Sequence, residues 1–161
     1  MANHSYMTIT GKAQGLISKD CSSQGSVGGK CQPGHLDEIM VLSLTHNMAN
    51  IGNLQHATHR PIVITKNVDK SSPLLNQALA NRESVDCKID FYRTSPGGSQ
   101  EKFYTIEIKE GLIVDLTLDM PHAILQNDAE PQEHLAILYR DIIWTHHTGG
   151  TTGWASWTNE Q

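Results

Sequence analysis

The sequence is short of positive charge and of long apolar runs. Its 161 residues include 12 Lys and Arg against 17 Asp and Glu, a net charge of -5, and Lys and Arg form no run longer than two. Proteins that bind nucleic acids usually carry a basic patch or stripe, so we expect no nucleic-acid partner. A bilayer-spanning helix needs roughly 18 consecutive apolar residues. Since no such run exists, we expect no insertion into a membrane.

Motifs for metal binding and for catalysis are lacking as well. Of the nine histidines, His46, His56 and His59 lie close in sequence, but without the spacing of a structural zinc site. His146 and His147 are adjacent on a predicted strand and therefore face opposite sides. There is no Gly-x-Ser-x-Gly nucleophile elbow. We predict no catalytic residue, no cofactor and no metal site, and interpret the histidines as exposed side chains at strand ends.

Cysteine is scarce, and no pair has CxxC spacing. Cys87 alternates with apolar residues of a predicted strand, which indicates a small buried hydrophobe and not a reactive thiol. Cys21 and Cys31 flank a loop; they could be bridged in an oxidising compartment and should be free thiols in the cytoplasm. Residues 1–6 contain no basic start with an apolar stretch, so no secretory signal peptide is expected and folding should occur in the cytoplasm.

What the sequence does contain is a series of alternating apolar and polar segments, the pattern typical of half-buried strands. Strands are predicted at residues 5–10, 35–46, 61–66, 84–94, 101–109, 112–119 and 133–147, with a short last strand near Trp154 and Trp157. Residues 95–99 predict a hairpin loop of about five residues, and Glu110-Gly111 a further turn. In the last long strand the apolar residues shift from one alternating face to the other, which predicts a bulge near Arg140-Asp141.

The faces of these strands can be assigned from the same alternation. Apolar residues on both faces of 35–46 predict that its middle is covered on both sides. Acidic side chains at alternate positions of later strands are predicted to face outward and solvate the sheet: Asp86, Asp90, Asp115 and Asp119.

One helix is predicted, from about Ser72 to Asn81. Ser72 can cap it, Pro73 suits the first helical position, and Leu75 and Leu79 belong to a narrow apolar stripe. A helix of about ten residues is not stable alone, so this stripe should dock on a sheet. Strands linked by turns around one short helix predict a mainly β fold: a single domain over residues 1–161, built as a small antiparallel β-barrel or sandwich.

Several blocks of sequence resemble a known family. Residues 64–66 (Ile-Thr-Lys) and 68–75 (Val-Asp-Lys-Ser-Ser-Pro-Leu-Leu) are similar to the strand-to-helix segment of the haemolysin-coregulated proteins (Hcp), the tube subunits of type VI secretion systems. The resemblance continues in residues 34–42, 89–94, 100–106 and 142–145 and at Trp157. The likeness is greatest to the enterobacterial-type members.

This resemblance implies a barrel of two sheets with one short helix and no catalytic residues. It implies that six copies close into a ring and that rings stack into a tube beneath a spike protein and inside a contractile sheath. The lumen would chaperone effector proteins, and the assembled tube would leave a Gram-negative cell without a signal peptide. A secreted carbohydrate-binding β-sandwich that uses Trp144, Trp154 or Trp157 as a stacking platform is the alternative.

The residues from Ser22 to Gly34 are the candidate site for assembly. They are rich in glycine and poor in apolar side chains, which predicts a long loop. Long loops in compact domains are often functional. We therefore predict that Gly25, Val27 and Gly28 contact another subunit, within the ring or between stacked rings.

Overall fold

The alternating segments form eleven β-strands in a computed structural model that describes residues 5–30, 32–52 and 56–157. The strands are β1 Ser5–Gly11, β2 Gly15–Leu16, β3 Ile39–Thr45, β4 Met48–Ala49, β5 Thr58–His59, β6 Ile62–Asn67, β7 Ser84–Thr94, β8 Gln100–Asp119, β9 Gln132–Leu138, β10 Asp141–His146 and β11 Thr151–Ser156. Two α-helices, α1 Gln24–Val27 and α2 Ser72–Ala80, and 3-10 turns at Gly28–Lys30 and Pro33–His35 complete the described elements.

Six antiparallel strands close into a barrel. Neighbouring strands run in the order β8, β7, β1, β3, β6 and β9, and β9 pairs again with β8. The hairpin of β10 and β11 extends from β8, which leaves β11 at the end of the strand order. A second, two-stranded sheet consists of β4 and β5. The predicted mainly β fold, a small antiparallel barrel of two sheets with one short helix docked on it, is confirmed, although the short helix α1 is an addition.

The predicted turn at Glu110-Gly111 is wrong, because the chain continues there as one strand of 20 residues, β8. Its first half pairs with β7 and β10 and its second half with β9. Glu110 adopts a φ of 49°, and its amide donates to Asp86 Oδ1 at 2.9 Å. A Cβ on Gly111 would lie 3.0 Å from Val85 O and 3.1 Å from Leu138 O. The two residues therefore bend the strand around a crowded barrel corner without reversing it.

Two further strand predictions need correction. The strand predicted at 133–147 is interrupted at Tyr139-Arg140 and forms two strands, β9 and β10, which run in the same direction and both pair antiparallel with β8. The phase change thus marks an irregularity next to the predicted position at Arg140-Asp141. The strand predicted at 35–46 begins only at Ile39, because the residues before it fold back over the sheet. There the His35 ring stacks on the Tyr6 ring, with the two ring centroids 3.8 Å apart. Leu42 is exposed, so the predicted cover on both faces of β3 is also wrong. The hairpin loop at 95–99 and the last strand are confirmed.

The barrel interior is filled by the inward row of each strand. The side chains with at most 1% exposure in this core are Met7, Ile9, Ile17, Cys21, Ile39, Ile62, Ile64, Leu75, Ala78, Val85, Ile89, Ile108, Leu135, Ile137 and Ile142. The core is therefore mainly isoleucine, whose branched side chain suits a pleated surface. Cys87 lies in it as predicted, and burial raises the pKa of its thiol far above the ordinary value.

Helix α2 is attached to the barrel by a buried ionic network as well as by its apolar stripe. Lys66, at the end of β6, is fully buried, and its Nζ lies 2.7 Å from Glu133 Oε1, 3.1 Å from Asp69 Oδ1 and 3.2 Å from Ser72 Oγ. The N-cap of α2 is Ser71 and not the predicted Ser72. The Ser72 hydroxyl instead binds Lys66 and accepts a hydrogen bond from the Asp69 amide at 3.0 Å. The predicted end at Asn81 is confirmed.

Candidate functional site

The glycine-rich segment, residues 22–34, is not the irregular loop that the sequence predicts. Ser23 O accepts hydrogen bonds from the amides of Ser26 and Val27, which closes α1, and Gly28 ends it with a φ of 62°. Gly25 and Gly28 are exposed and Val27 is half-buried. The segment is fixed beside α2, because Ser26 Oγ accepts a hydrogen bond from the Lys70 amide at 2.8 Å. Cys31 lies outside the described residues, so its predicted relation to Cys21 stays a prediction.

A groove of about 670 Å³ separates the glycine-rich segment from the connection between β8 and β9. Met40 and Leu42, on the outward face of β3, supply apolar side chains to its lining. Lys30 on one side forms an ion pair with Glu130 on the other. The groove thus lies between two surface segments that are far apart in the sequence.

Asp119 at the end of β8 and the connection from β8 to β9, residues 120–131, form an acidic arm with an apolar turn. It carries Asp119, Asp128 and Glu130, and the sequence has no Lys or Arg from 110 to 139. Ile124 and Leu125 are each 79% exposed at the turn. His122 Nδ1 accepts hydrogen bonds from both of their amides, at 3.2 and 3.1 Å. Exposed apolar side chains held in an ordered turn are typical of a surface that contacts protein.

Strand β11 forms another exposed feature. Within the ranges that the structure describes, it pairs with β10 on one side only, and Trp154 on it is 74% exposed. Its register places Trp154 opposite Ile143 but Trp144 opposite Gly153, so the two indoles lie on opposite faces of the hairpin. Trp144 and Trp157 are half-buried and pack against the core. Of these three tryptophans, Trp154 is therefore the one that presents a mostly exposed ring, as the stacking platform of the carbohydrate-binding alternative requires.

Two polar residues are buried where the sequence predicts exposed side chains, Asp90 and His59. Asp90 is 4% exposed and not solvated as expected, because Thr105 Oγ1 donates to its Oδ1 at 2.8 Å and also lies 2.7 Å from His147 Nε2. Thr105 is 3% exposed, so this Asp-Thr-His chain is buried at its centre, whereas His147 at its end is exposed. His59 is only 8% exposed, contrary to its interpretation as an exposed residue.

Neither a metal centre nor a membrane span is found in the part of the chain that the structure describes. No group of three or more His, Cys, Asp and Glu side chains there could hold a metal ion. No described helix is both long and apolar enough to cross a bilayer.

Comparison with known proteins gives one consistent result. The sequence profile of the family described as type VI secretion system effector, Hcp, matches residues 6–146. The chain is 38% identical to the major exported protein of Pseudomonas aeruginosa strain PAO1, over 98% of this chain and 96% of that protein. It superposes on a crystal structure of an Hcp protein with a TM-score of 0.92 and 30% identity, over 99% of this chain and 100% of the other. The secreted protein Hcp3 from Pseudomonas aeruginosa gives a TM-score of 0.86 and 38% identity, over 98% and 100% of the two chains.

Proposed function

Because this chain belongs to the Hcp family of type VI secretion proteins, we propose that it is a structural subunit of the secreted tube. The observation that carries the proposal is the extent of the family match, since residues 6–146 include nearly the whole of β1 and all of every later strand up to β10. The resemblance of the sequence blocks to Hcp proteins is thereby confirmed. Six copies form a ring, and rings stack into a tube.

Three exposed features of the chain support self-assembly. An unpaired strand edge such as that of β11 is a template for contact with another chain. The apolar turn at Ile124 and Leu125 offers side chains that gain from being covered. The glycine-rich segment lies across the groove from the acidic arm. Contacts between different patches of identical subunits close into a ring when the rotation permits it and otherwise extend into a filament.

The remaining partners follow from the same membership. The tube carries a spike protein at its tip, lies inside a contractile sheath and holds effector proteins in its lumen. The subunit folds and assembles in the cytoplasm and leaves the cell in the tube. Its role is structural and carrier-like, with no enzymatic step.

Light scattering after size-exclusion chromatography tests the ring. We expect a mass of about six times the 17.8 kDa of the chain, and ring-shaped particles by electron microscopy. A carbohydrate-binding module has no reason to form six-membered rings. A monomer at micromolar concentration across ordinary salt would refute the proposal.

The contribution of the glycine-rich segment can be tested by Gly25→Arg. A Cβ at Gly25 meets no atom within 4 Å, so the monomer should fold normally. If Gly25 contacts another subunit, the long charged side chain should lower the fraction of rings or stacked rings at least tenfold, as measured by light scattering and electron microscopy. Gly97→Arg, in the exposed loop at 95–99, is the matched control. Wild-type assembly of Gly25→Arg would show that the segment is a passive connection.

A further inference from the structure

A cluster apart from these surfaces joins the half-buried His46 and the buried His59 to the buried Tyr139. Tyr139 Oη lies 2.9 Å from His46 Nε2 and 2.8 Å from His59 Nδ1. The His59 ring stacks on Trp157 with centroids 5.5 Å apart, and Tyr139 meets Trp157 edge-on at 5.0 Å. The cluster therefore connects β5, the junction of β9 and β10, and the chain after β11.

The hydrogen bonds of this cluster depend on the protons of the two imidazoles. The Tyr139 hydroxyl has one proton to donate, so one histidine must present a lone pair while the other can present an N–H. Burial raises the pKa of Tyr139 to about 12, so the hydroxyl keeps its proton in the range where histidine titrates. If both imidazoles are protonated, the hydroxyl has no acceptor among them, and two positive charges face each other across one oxygen.

We propose that His46, His59 and Tyr139 form a proton-sensitive latch, which holds β5 and Trp157 against the barrel at neutral pH and releases them in acid. In the described part of the chain β5 pairs with β4 and not with a barrel strand, so the ring contacts of His59 hold it against the barrel. The Trp157 amide donates to Arg140 O at 2.7 Å, which makes this amide a direct reporter of the closed state.

Electrostatics give the direction of the response. Burial lowers the pKa of both histidines, and the charge of His59 lowers that of His46 further. Among the described residues, the ionisable group seen in contact with both rings is Tyr139, and His59 acts on His46 through its charge. The neighbouring cations along the chain, Arg60 and Arg140, are exposed. A lowered pKa means that the closed latch is fully stabilised above the ordinary value of 6.5 and loses stability as the pH falls below it.

Hydrogen exchange of the Trp157 amide between pH 7.5 and 5.5, corrected for the intrinsic rate, tests the latch. One pH unit below the ordinary pKa, each histidine can favour the open form by up to about tenfold, so the pair can accelerate exchange by up to about a hundredfold. The double variant His46→Gln/His59→Gln keeps amide donors and acceptors but cannot titrate, and its corrected exchange should not respond to pH. His56→Gln, at an exposed site, should respond like the wild type.

Two results would overturn the latch. One is an unchanged acid response in the double variant; the other is a wild-type Trp157 amide whose corrected exchange stays constant over this range. If the double variant does not fold, NMR titration of the wild-type imidazoles decides. Both His46 and His59 should become protonated below pH 6.5, in the same pH range in which the exchange of the Trp157 amide accelerates. Protonation of either histidine at or above pH 6.5 would contradict the proposal.

Discussion

Replacing Lys66 with methionine is expected to lower the free energy of unfolding by roughly 3–5 kcal/mol, the range typical when one partner of a buried ion pair is removed. The ammonium group is fully buried and lies within 3.1 Å of two carboxylates, Glu133 and Asp69. The side chains of Glu133 and Asp69 are 3% and 4% exposed, so their carboxylates would be left with little access to water. Denaturant unfolding at a fixed protein concentration measures the loss, since assembly makes stability depend on concentration.

The size of this effect should come from the uncompensated charge and not from lost volume. The double variant Lys66→Met/Glu133→Leu removes both members of the closest pair, so it should lose clearly less than the sum of the two single variants. Lys30→Met is the surface control, because Lys30 and Glu130 have side chains 40% and 58% exposed. Such pairs contribute about 0–1 kcal/mol. A loss below 1 kcal/mol for Lys66→Met would show that water reaches the network.

Lys66 also shows where sequence patterns stop being informative. Alternation identifies the strands because each one has to bury one face, and β1, β7 and the hairpin loop at 95–99 lie where it predicts them. Lysine is almost never fully buried without a partner. Of its two carboxylate partners, Asp69 is three residues away but Glu133 is 67 residues away, so a local pattern could not reveal that both meet at a buried Lys66.

The same limit applies to the polar clusters and to the strand β8. Tyr139 meets His46 and His59 across 93 and 80 residues, and Asp90 is buried through contacts with Thr105 on the next strand. These contacts form when the barrel closes, and the local structural propensities of the residues carry no information about that closure. Glu110-Gly111 has the composition of a turn, yet pairing with three different strands keeps β8 extended. The motif that resembles the Hcp family could be identified from the sequence. The buried ionic network that its residues form could not be predicted from the sequence.

The apolar stripe of α2 gives the second large expected effect. Leu75→Ala should lower the free energy of unfolding by about 2–5 kcal/mol, the range for truncating a fully buried leucine. Leu75 is 0% exposed and belongs to the barrel core, and the helix around it is only nine residues long. Because so short a helix depends on tertiary packing, a cavity beneath Leu75 should weaken its attachment as well as the core.

Leu79 provides the matched comparison on the same helix. The sequence stripe treats the two leucines alike, but Leu79 is only partly buried at the edge of the core. Leu79→Ala should therefore cost about 1 kcal/mol, in proportion to the smaller apolar area that it removes from water. Both losses can be measured by denaturant unfolding of the two variants at one protein concentration. Equal losses would mean that the helix sits on the barrel rotated toward Leu79, and a change below about 0.5 kcal/mol for Leu75→Ala would mean that the stripe faces solvent.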